Sequence, residues 1–265
     1  FGWRLGRLFV TGFTRVTADE NQQPVFIKTL GDSVTLWFDL EQDIDALNGN
    51  AQLSLAADAN GYDQQFGIPK TNFGRGTLIV CHTDYQNAKG EPAVYTDYLL
   101  AKGTTGANTR IVLHEEGDYE VALDYEVQDS ELTHITSKFG NYRIFLRFSI
   151  RNGNCMVYPF DLLTGAELQN TAVAEAGFSL DLARSRYLDI NVRRAVLVET
   201  ANGVIEDERF NRPAKDGDRY TQEGIYTISV SNRYTGESTT KTIFVGSQEL
   251  LETYVRNGFS LERLK

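Results

Sequence analysis

A short phrase occurs twice in this chain and restricts its fold more than any other feature. Glu116-Gly117-Asp118-Tyr119-Glu120-Val121-Ala122-Leu123 is matched later by Glu223-Gly224-Ile225-Tyr226-Thr227-Ile228-Ser229-Val230. In each copy a glycine is followed two positions on by a tyrosine, and then by aliphatic residues at alternate positions. Period-two alternation marks a half-buried strand, and a glycine ahead of it marks a corner. Each copy therefore predicts a strand entered through a tight corner, with tyrosine as its first inward residue.

The residues around the first copy extend the prediction. Tyr119, Val121, Leu123, Tyr125 and Val127 share one face, with Asp118, Glu120, Asp124 and Glu126 on the other. Beyond a loop at 128–140, Tyr142, Ile144, Leu146, Phe148 and Ile150 share a face, with Arg143, Arg147 and Arg151 opposite. An acidic and a basic outer face joined by one loop predict antiparallel neighbours with charge pairs across the ladder. Exposed pairs of this kind contribute only about 0.2–1 kcal/mol each. Their use is to fix register and to keep the sheet from joining another chain. Arg151-Asn152-Gly153-Asn154 then carries the Asn-Gly signal of a tight hairpin returning into 155–160.

Elsewhere, alternation predicts an edge strand within 1–17 and a strand at 33–40, with Val34, Leu36, Phe38 and Leu40 inward. Trp37 lies on the other face, under cover from the N-terminal segment. Further strands are expected from Leu78, from Val94, at 111–113, at 178–182, at 187–198, at 204–210 and through Ile243 and Val245. Gln42–Leu47 predicts one helical turn. Thr164-Gly165 and Gly236 mark turns. Leu250, Leu251, Tyr254 and Val255 have helical spacing, with Ser247 as N-cap and Gly258 as the stop. The weakly patterned stretch 166–176 is the expected domain junction, giving a sandwich over 1–172, a second over 173–246 and a helical tail over 247–265.

In immunoglobulin-like sandwiches a tyrosine near the start of strand F lies two residues before an inward core position and returns its hydroxyl to the backbone. Here the pairs are Tyr119 with Val121 and Tyr226 with Ile228. Aliphatic residues stand where antibody domains place cysteine, so these cores are expected to hold by packing alone, at roughly 1.5–3 kcal/mol per buried large apolar side chain. The fold class expected is all-β: two Ig-like β-sandwich domains with a short C-terminal helix.

A resemblance points the same way. DGDRYTQEGIYTISVSNRYTGESTTKTIFVG (216–246) resembles the closing strands of Ig-like modules in uncharacterised secreted and cell-surface proteins of Gram-positive gut bacteria. FGRGTLIVCHTDYQN (73–87), YRIFLRFSIRNGNCMVYPFD (142–161) and SRYLDINVRRAVL (185–197) are similar to the same group. The resemblance implies export and a cell-surface setting, and no activity.

Composition bounds the partners. Over 265 residues, 36 acidic side chains against 26 basic ones give a net charge of −10. That balance argues against nucleic acid, which needs clustered Lys and Arg, and against docking on anionic lipid. No run of about 18 apolar residues is present, so no membrane contact by this segment is expected. Because the first residue is Phe1, a processed chain is expected. Cys81 and Cys155 permit one disulfide and exclude a cysteine-rich scaffold.

Catalytic and metal motifs are absent from the sequence. His82, His114 and His134 are the only histidines, and none sits at ligand spacing for zinc. Asp58-x-Asn60-Gly61-x-Asp63 suggests a calcium loop, but Pro69 stands where the bidentate glutamate belongs. No Gly-x-Ser-x-Gly elbow or phosphate-binding glycine loop occurs. No cofactor or metal is therefore expected. The candidate ligand-binding residues are Tyr62, Gln64, Phe66 and Phe73, in a loop where aromatic faces and amides lie close enough to hold a sugar. The competing assignment makes Phe66 and Phe73 plugs for the end of a sandwich. The loop at 128–140 is the other candidate. The expectation is a monomeric, non-catalytic surface module for adhesion, ligand binding or spacing, with host or cell-wall glycan or protein as partner. The alternative is a carbohydrate-active enzyme (a glycoside hydrolase) or its accessory carbohydrate-binding module.

Overall fold

A computed structural model describes residues 6–41, 53–55, 62–69, 76–99, 109–129, 138–198 and 203–259. The expected helical turn at 42–47, the Asp58–Gly61 part of the calcium-like loop, Phe73, and most of the 128–140 loop lie outside the described residues. The chain divides into two compact units, Phe1–Asn152 and Gly153–Lys265.

The first unit contains β1 (Gly6–Thr11), β2 (Arg15–Ala18), β3 (Pro24–Lys28), β4 (Val34–Leu40), β5 (Leu53–Leu55), β6 (Tyr62–Asp63), β7 (Ile68–Pro69), β8 (Thr77–Thr83), β9 (Ala93–Tyr95), β10 (Ile111–Leu113), β11 (Gly117–Asp129) and β12 (Lys138–Asn152). Its larger sheet has the order β2-β3-β12-β11-β8-β9, with β5 also paired to β11, and its smaller sheet has the order β1-β4-β10. One apolar cluster receives residues from both sheets: Val34, Leu36 and Phe38 from β4, Leu78 and Val80 from β8, and Tyr119, Val121 and Leu123 from β11. Aromatic rings run across one end of this core. Phe26 contacts Phe148 at 5.5 Å, Phe148 stacks on Tyr119 at 5.4 Å, and Tyr119 meets His82 at 4.8 Å. These separations fall in the favourable range for offset and tilted rings.

The second unit contains β13 (Tyr158–Asp161), β14 (Ala172–Ala174), β15 (Phe178–Asp181), β16 (Asp189–Val198), β17 (Gly203–Pro213), β18 (Arg219–Tyr220), β19 (Gly224–Asn232), β20 (Glu237–Val245) and the helix α1 (Gln248–Arg256). Its sheets have the orders β14-β20-β19-β16-β17 and β13-β15-β18. Phe178 and Leu180 from β15 meet Val192, Tyr226, Ile228 and Ile243 from the larger sheet in a single core.

The two units repeat one wiring. In each, the tyrosine-bearing strand (β11 or β19) lies between the strand that follows it (β12 or β20) and an earlier one (β8 or β16). The last strand is paired in parallel with an early one, β3 in the first unit and β14 in the second. Each smaller sheet joins three further strands in corresponding chain order.

Two expectations change. The division falls at Asn152/Gly153 rather than at 172/173, because β13 pairs antiparallel with β15 and β14 pairs with β20, which puts both in the second unit. For the same reason Asn152-Gly153 does not close a hairpin: β12 ends at Asn152, and the chain goes on to pair with strands of the other unit. The turns at Gly165 and Gly236 form as expected, with φ of +70° and +77°. The helix is capped by Ser247, whose hydroxyl accepts the Leu250 N–H, and stops at Gly258 with φ +84°. Its Leu251 and Tyr254 are buried against Ile225 and Phe244 of the larger sheet, while Val255 points outward.

Candidate functional site

The repeated phrase builds the same corner twice. The Tyr119 hydroxyl donates to the Glu115 carbonyl at 2.7 Å, and the Tyr226 hydroxyl donates to the Gln222 carbonyl at 2.8 Å. Each tyrosine thus reaches back four residues, over a glycine with φ of +152° (Gly117) or +142° (Gly224). Space as well as dihedral selects glycine: a Cβ on Gly117 would stand 2.5 Å from the Thr83 carbonyl oxygen, and one on Gly224 would stand 2.6 Å from that of Ala195. The carbonyl just before each glycine is held from the neighbouring strand. His82, opposite Tyr119, donates from Nε2 to Glu116 O at 2.7 Å, and Arg194, opposite Tyr226, donates from Nε to Glu223 O at 2.8 Å. Burial pushes the Tyr226 phenol up to about 12, so it stays a donor across the ordinary pH range. The corners anchor the folds.

The candidate loop, by contrast, folds down onto the outer face of the first unit's larger sheet. β6 and β7 form a small hairpin, with Tyr62 opposite Pro69 and Asp63 opposite Ile68. Asp63 closes its turn by accepting the N–H groups of Gln65 (3.1 Å) and Phe66 (3.3 Å). Phe66 is buried against Ile79, Cys81, Ala122 and Phe145, so it packs beneath the hairpin instead of facing a ligand. It covers the face of the sheet, not the end of the core. Gln64 is exposed.

One arginine fastens the hairpin down. Arg143 on β12 donates from Nε and Nη2 to the two oxygens of Asp124 on β11, from Nη2 to Asp63, and from Nη1 to Gln65 Oε1 at 3.0 Å. Both carboxylates are almost fully buried, whereas the guanidinium keeps a partly exposed edge. The hydrogen bond to Asp124 is the largest influence on Arg143, and with Asp63 it raises the guanidinium's pKa against the effect of burial. The arrangement is an electrostatic clamp whose outer surface offers amide groups at Gln64 and Gln65.

The expected charge ladder between β11 and β12 is present in register. Glu120 stands opposite Arg147 and Asp124 opposite Arg143. It is not wholly a solvent face, because the hairpin buries Asp124, and Arg151 is buried where it bonds Asp118 (2.8 Å) and the Gly117 carbonyl (2.9 Å). Burial works against the Asp118 carboxylate, but hydrogen bonds from Ser149 and Arg151 win and lower its pKa.

Cys81 and Cys155 are both buried free thiols. Asp216 accepts the Leu182 N–H and pairs with Arg186 at 3.0 Å. Among the described residues no group of three or more His, Cys, Asp or Glu side chains converges to hold a metal ion. No helix among them is long and apolar enough to cross a membrane. No protein-family model and no curated protein matches this chain.

The clamp and the corner partners His82 and Arg194 escaped the sequence reading. Asp63, Asp124 and Arg143 are far apart in the chain, and only the pairing of β11 with β12 places two of them opposite one another. The alternation of Arg143 with apolar neighbours was the available signal, and it carried no hint that a hairpin would cover the face.

Proposed function

We propose that the chain is a tandem pair of Ig-like β-sandwich modules from an exported bacterial surface protein, acting in adhesion or ligand binding without catalysis. The observation that carries this reading is the duplication of one strand order around one tyrosine corner. Lettered A, A′, B, C, C′, E, F and G, the eight strands β1, β3, β4, β8, β9, β10, β11 and β12 correspond in turn to β13–β20. Such a lettering puts G, F and C in one sheet and A, B and E in the other, with the corner tyrosine at the start of F, as in immunoglobulin-like domains. The step from fold to role is an analogy between architectures. It is supported by the acidic balance of charge, which favours solubility over nucleic-acid or anionic-lipid partners.

The purified chain, applied to arrays of glycans and of extracellular host proteins, is expected to bind a restricted set of targets saturably and to leave them chemically unchanged. Turnover of a bound glycan would overturn the non-catalytic reading. Absence of binding on both arrays, with two separable unfolding transitions, would replace ligand binding by a purely mechanical spacing role.

A further inference from the structure

The outward face of the first unit's smaller sheet carries three cross-strand rungs of different chemistry. Arg7 stands opposite Asp39, Phe9 opposite Trp37, and Thr11 opposite Thr35. All six side chains alternate with the inward residues Leu8, Val10, Leu36 and Phe38, so they project away from the core. Phe9 and Trp37 are stacked, with ring centroids 4.9 Å apart and an interplanar angle of 22°. Despite that stacking, Phe9 keeps 38% of its surface exposed, and Val112, beside Thr35 on the other edge strand, keeps 49%. An aromatic rung in the middle is thus flanked by a charged rung on one side and a hydroxyl rung on the other. Successive same-face rungs lie about 7 Å apart along a strand.

We propose that this face is a saccharide-binding subsite, with the Phe9–Trp37 pair receiving the apolar C–H face of a sugar ring. The proposal rests on the reading of the chain as a ligand-binding module and names the ligand class and the place. The flanking groups suit that ligand. The Asp39 carboxylate accepts from sugar hydroxyls, the Thr11 and Thr35 hydroxyls both donate and accept, and Arg7, anchored through Nε to Glu41 at 2.8 Å, donates. Size also favours a small saccharide over a protein. Two aromatic side chains that bury 150–250 Å² each when enclosed leave on the order of 100 Å² of open ring surface here. A stable protein interface needs about 800 Å² a side.

The test uses the whole chain with Trp3→Phe, so that Trp37 is the only tryptophan and reports on its own surroundings. Cellotetraose, chitotetraose and mannotetraose are titrated while Trp37 fluorescence is followed. At least one sugar is expected to give a saturable change, with Kd raised tenfold or more by Phe9→Ala and several-fold by Asp39→Asn or Thr35→Val. The two polar variants keep both rings, so they remain informative where Phe9→Ala loosens the edge strand; a thermal melt of each variant serves as the folding control. No saturable change with any of the three sugars, or a Kd unaffected by all three substitutions, overturns the subsite. If the unmodified chain binds a glycan or protein array target and Phe9→Ala, Asp39→Asn and Thr35→Val leave that binding intact, the subsite fails while the module reading stands. Hydrolysis of the sugars would instead remove the module reading.

Discussion

The Tyr226 hydroxyl bonds the Gln222 carbonyl at 2.8 Å, four residues back across a glycine that no other residue can replace without collision. Tyr119 does the same with Glu115 in the other unit. Removing either hydroxyl takes from a partly buried carbonyl the donor that the tyrosine supplies. Tyr119→Phe and Tyr226→Phe should each cost about 1 kcal/mol, lowering the melting temperature of the affected unit by on the order of 4 °C. The corners lie in separate units, so the effects in the double variant should add. Differential scanning calorimetry of the single and double variants tests this.

The glycines should be costlier to change than the tyrosines. At Gly117 and Gly224 alanine would meet both an unfavourable dihedral and a carbonyl oxygen within 2.6 Å. Strained backbone of this kind costs roughly 1–3 kcal/mol before any steric term. Gly117→Ala and Gly224→Ala are therefore expected to destabilise more than the tyrosine changes, by about 2 kcal/mol or more. Urea midpoints should shift without a change in m-value.

The hairpin clamp predicts a local effect as well as a global one. In Arg143→Met the carboxylates of Asp63 and Asp124 lose the cation they share. Breaking a fully buried pair costs about 3–5 kcal/mol. Arg143 is 29% exposed, and solvent screening brings the expected loss to about 2–3 kcal/mol. The hairpin should also release from the sheet, giving faster hydrogen exchange at 64–68 and new protease cleavage there. Adding Asp124→Asn should recover part of the loss, since one unpaired charge is then gone.

The corner was legible in the sequence because its parts are local. Glycine, tyrosine and an aliphatic residue at fixed spacing specify the dihedral, the ring and the inward position within a few residues. Helix α1 was legible for the same reason, through Ser247, Gly258 and the spacing of Leu251 and Tyr254. What could not be read depends on distant partners. His82 and Arg194 cap the corner carbonyls only because β8 and β16 pair in the right register. Phe66 reads as an aromatic in a polar loop and becomes a packing residue only when the hairpin meets Ile79 and Phe145. The junction misled because Asn152-Gly153, a strong hairpin signal, is used as the exit from one unit, and the weak pattern near 172 belongs to a short strand paired with β20.

The thiols should be unreactive in the native protein. Cys81 is buried, and burial pushes its pKa up, which lowers the thiolate fraction that reacts. Cys155 is buried with its Sγ against the Glu237 carbonyl at 3.4 Å. An aromatic disulfide reagent should modify neither at neutral pH without denaturant and both after unfolding. Stability should be the same with and without reductant.

The dependence of stability on pH should have two identifiable arms in the second unit. The Asp207 carboxyl is held down to about 2 against burial, first by the side-chain hydrogen bond from Arg209, then by that residue's backbone N–H, and then by the Arg209 and Arg194 charges. Its ordinary value is about 4, so the folded state binds fewer protons than the unfolded one between these limits. That contribution is complete above pH 4 and lost as pH falls toward 2. Because Arg209 is 82% exposed, added salt should weaken it. Tyr226 works in the opposite sense. Burial raises its phenol to about 12, so its contribution is complete below pH 10 and lost as pH rises through 12. Denaturant midpoints measured from pH 2 to 12 should fall at both ends. Asp207→Asn should reduce the acid arm alone and Tyr226→Phe the alkaline arm alone, with Asp216 still contributing to the first and the buried Tyr220 and Tyr254 to the second. An alkaline arm unchanged in Tyr226→Phe would mean that this phenol ionises as freely in the folded chain as in the unfolded one, and would overturn the assignment of that arm to its burial.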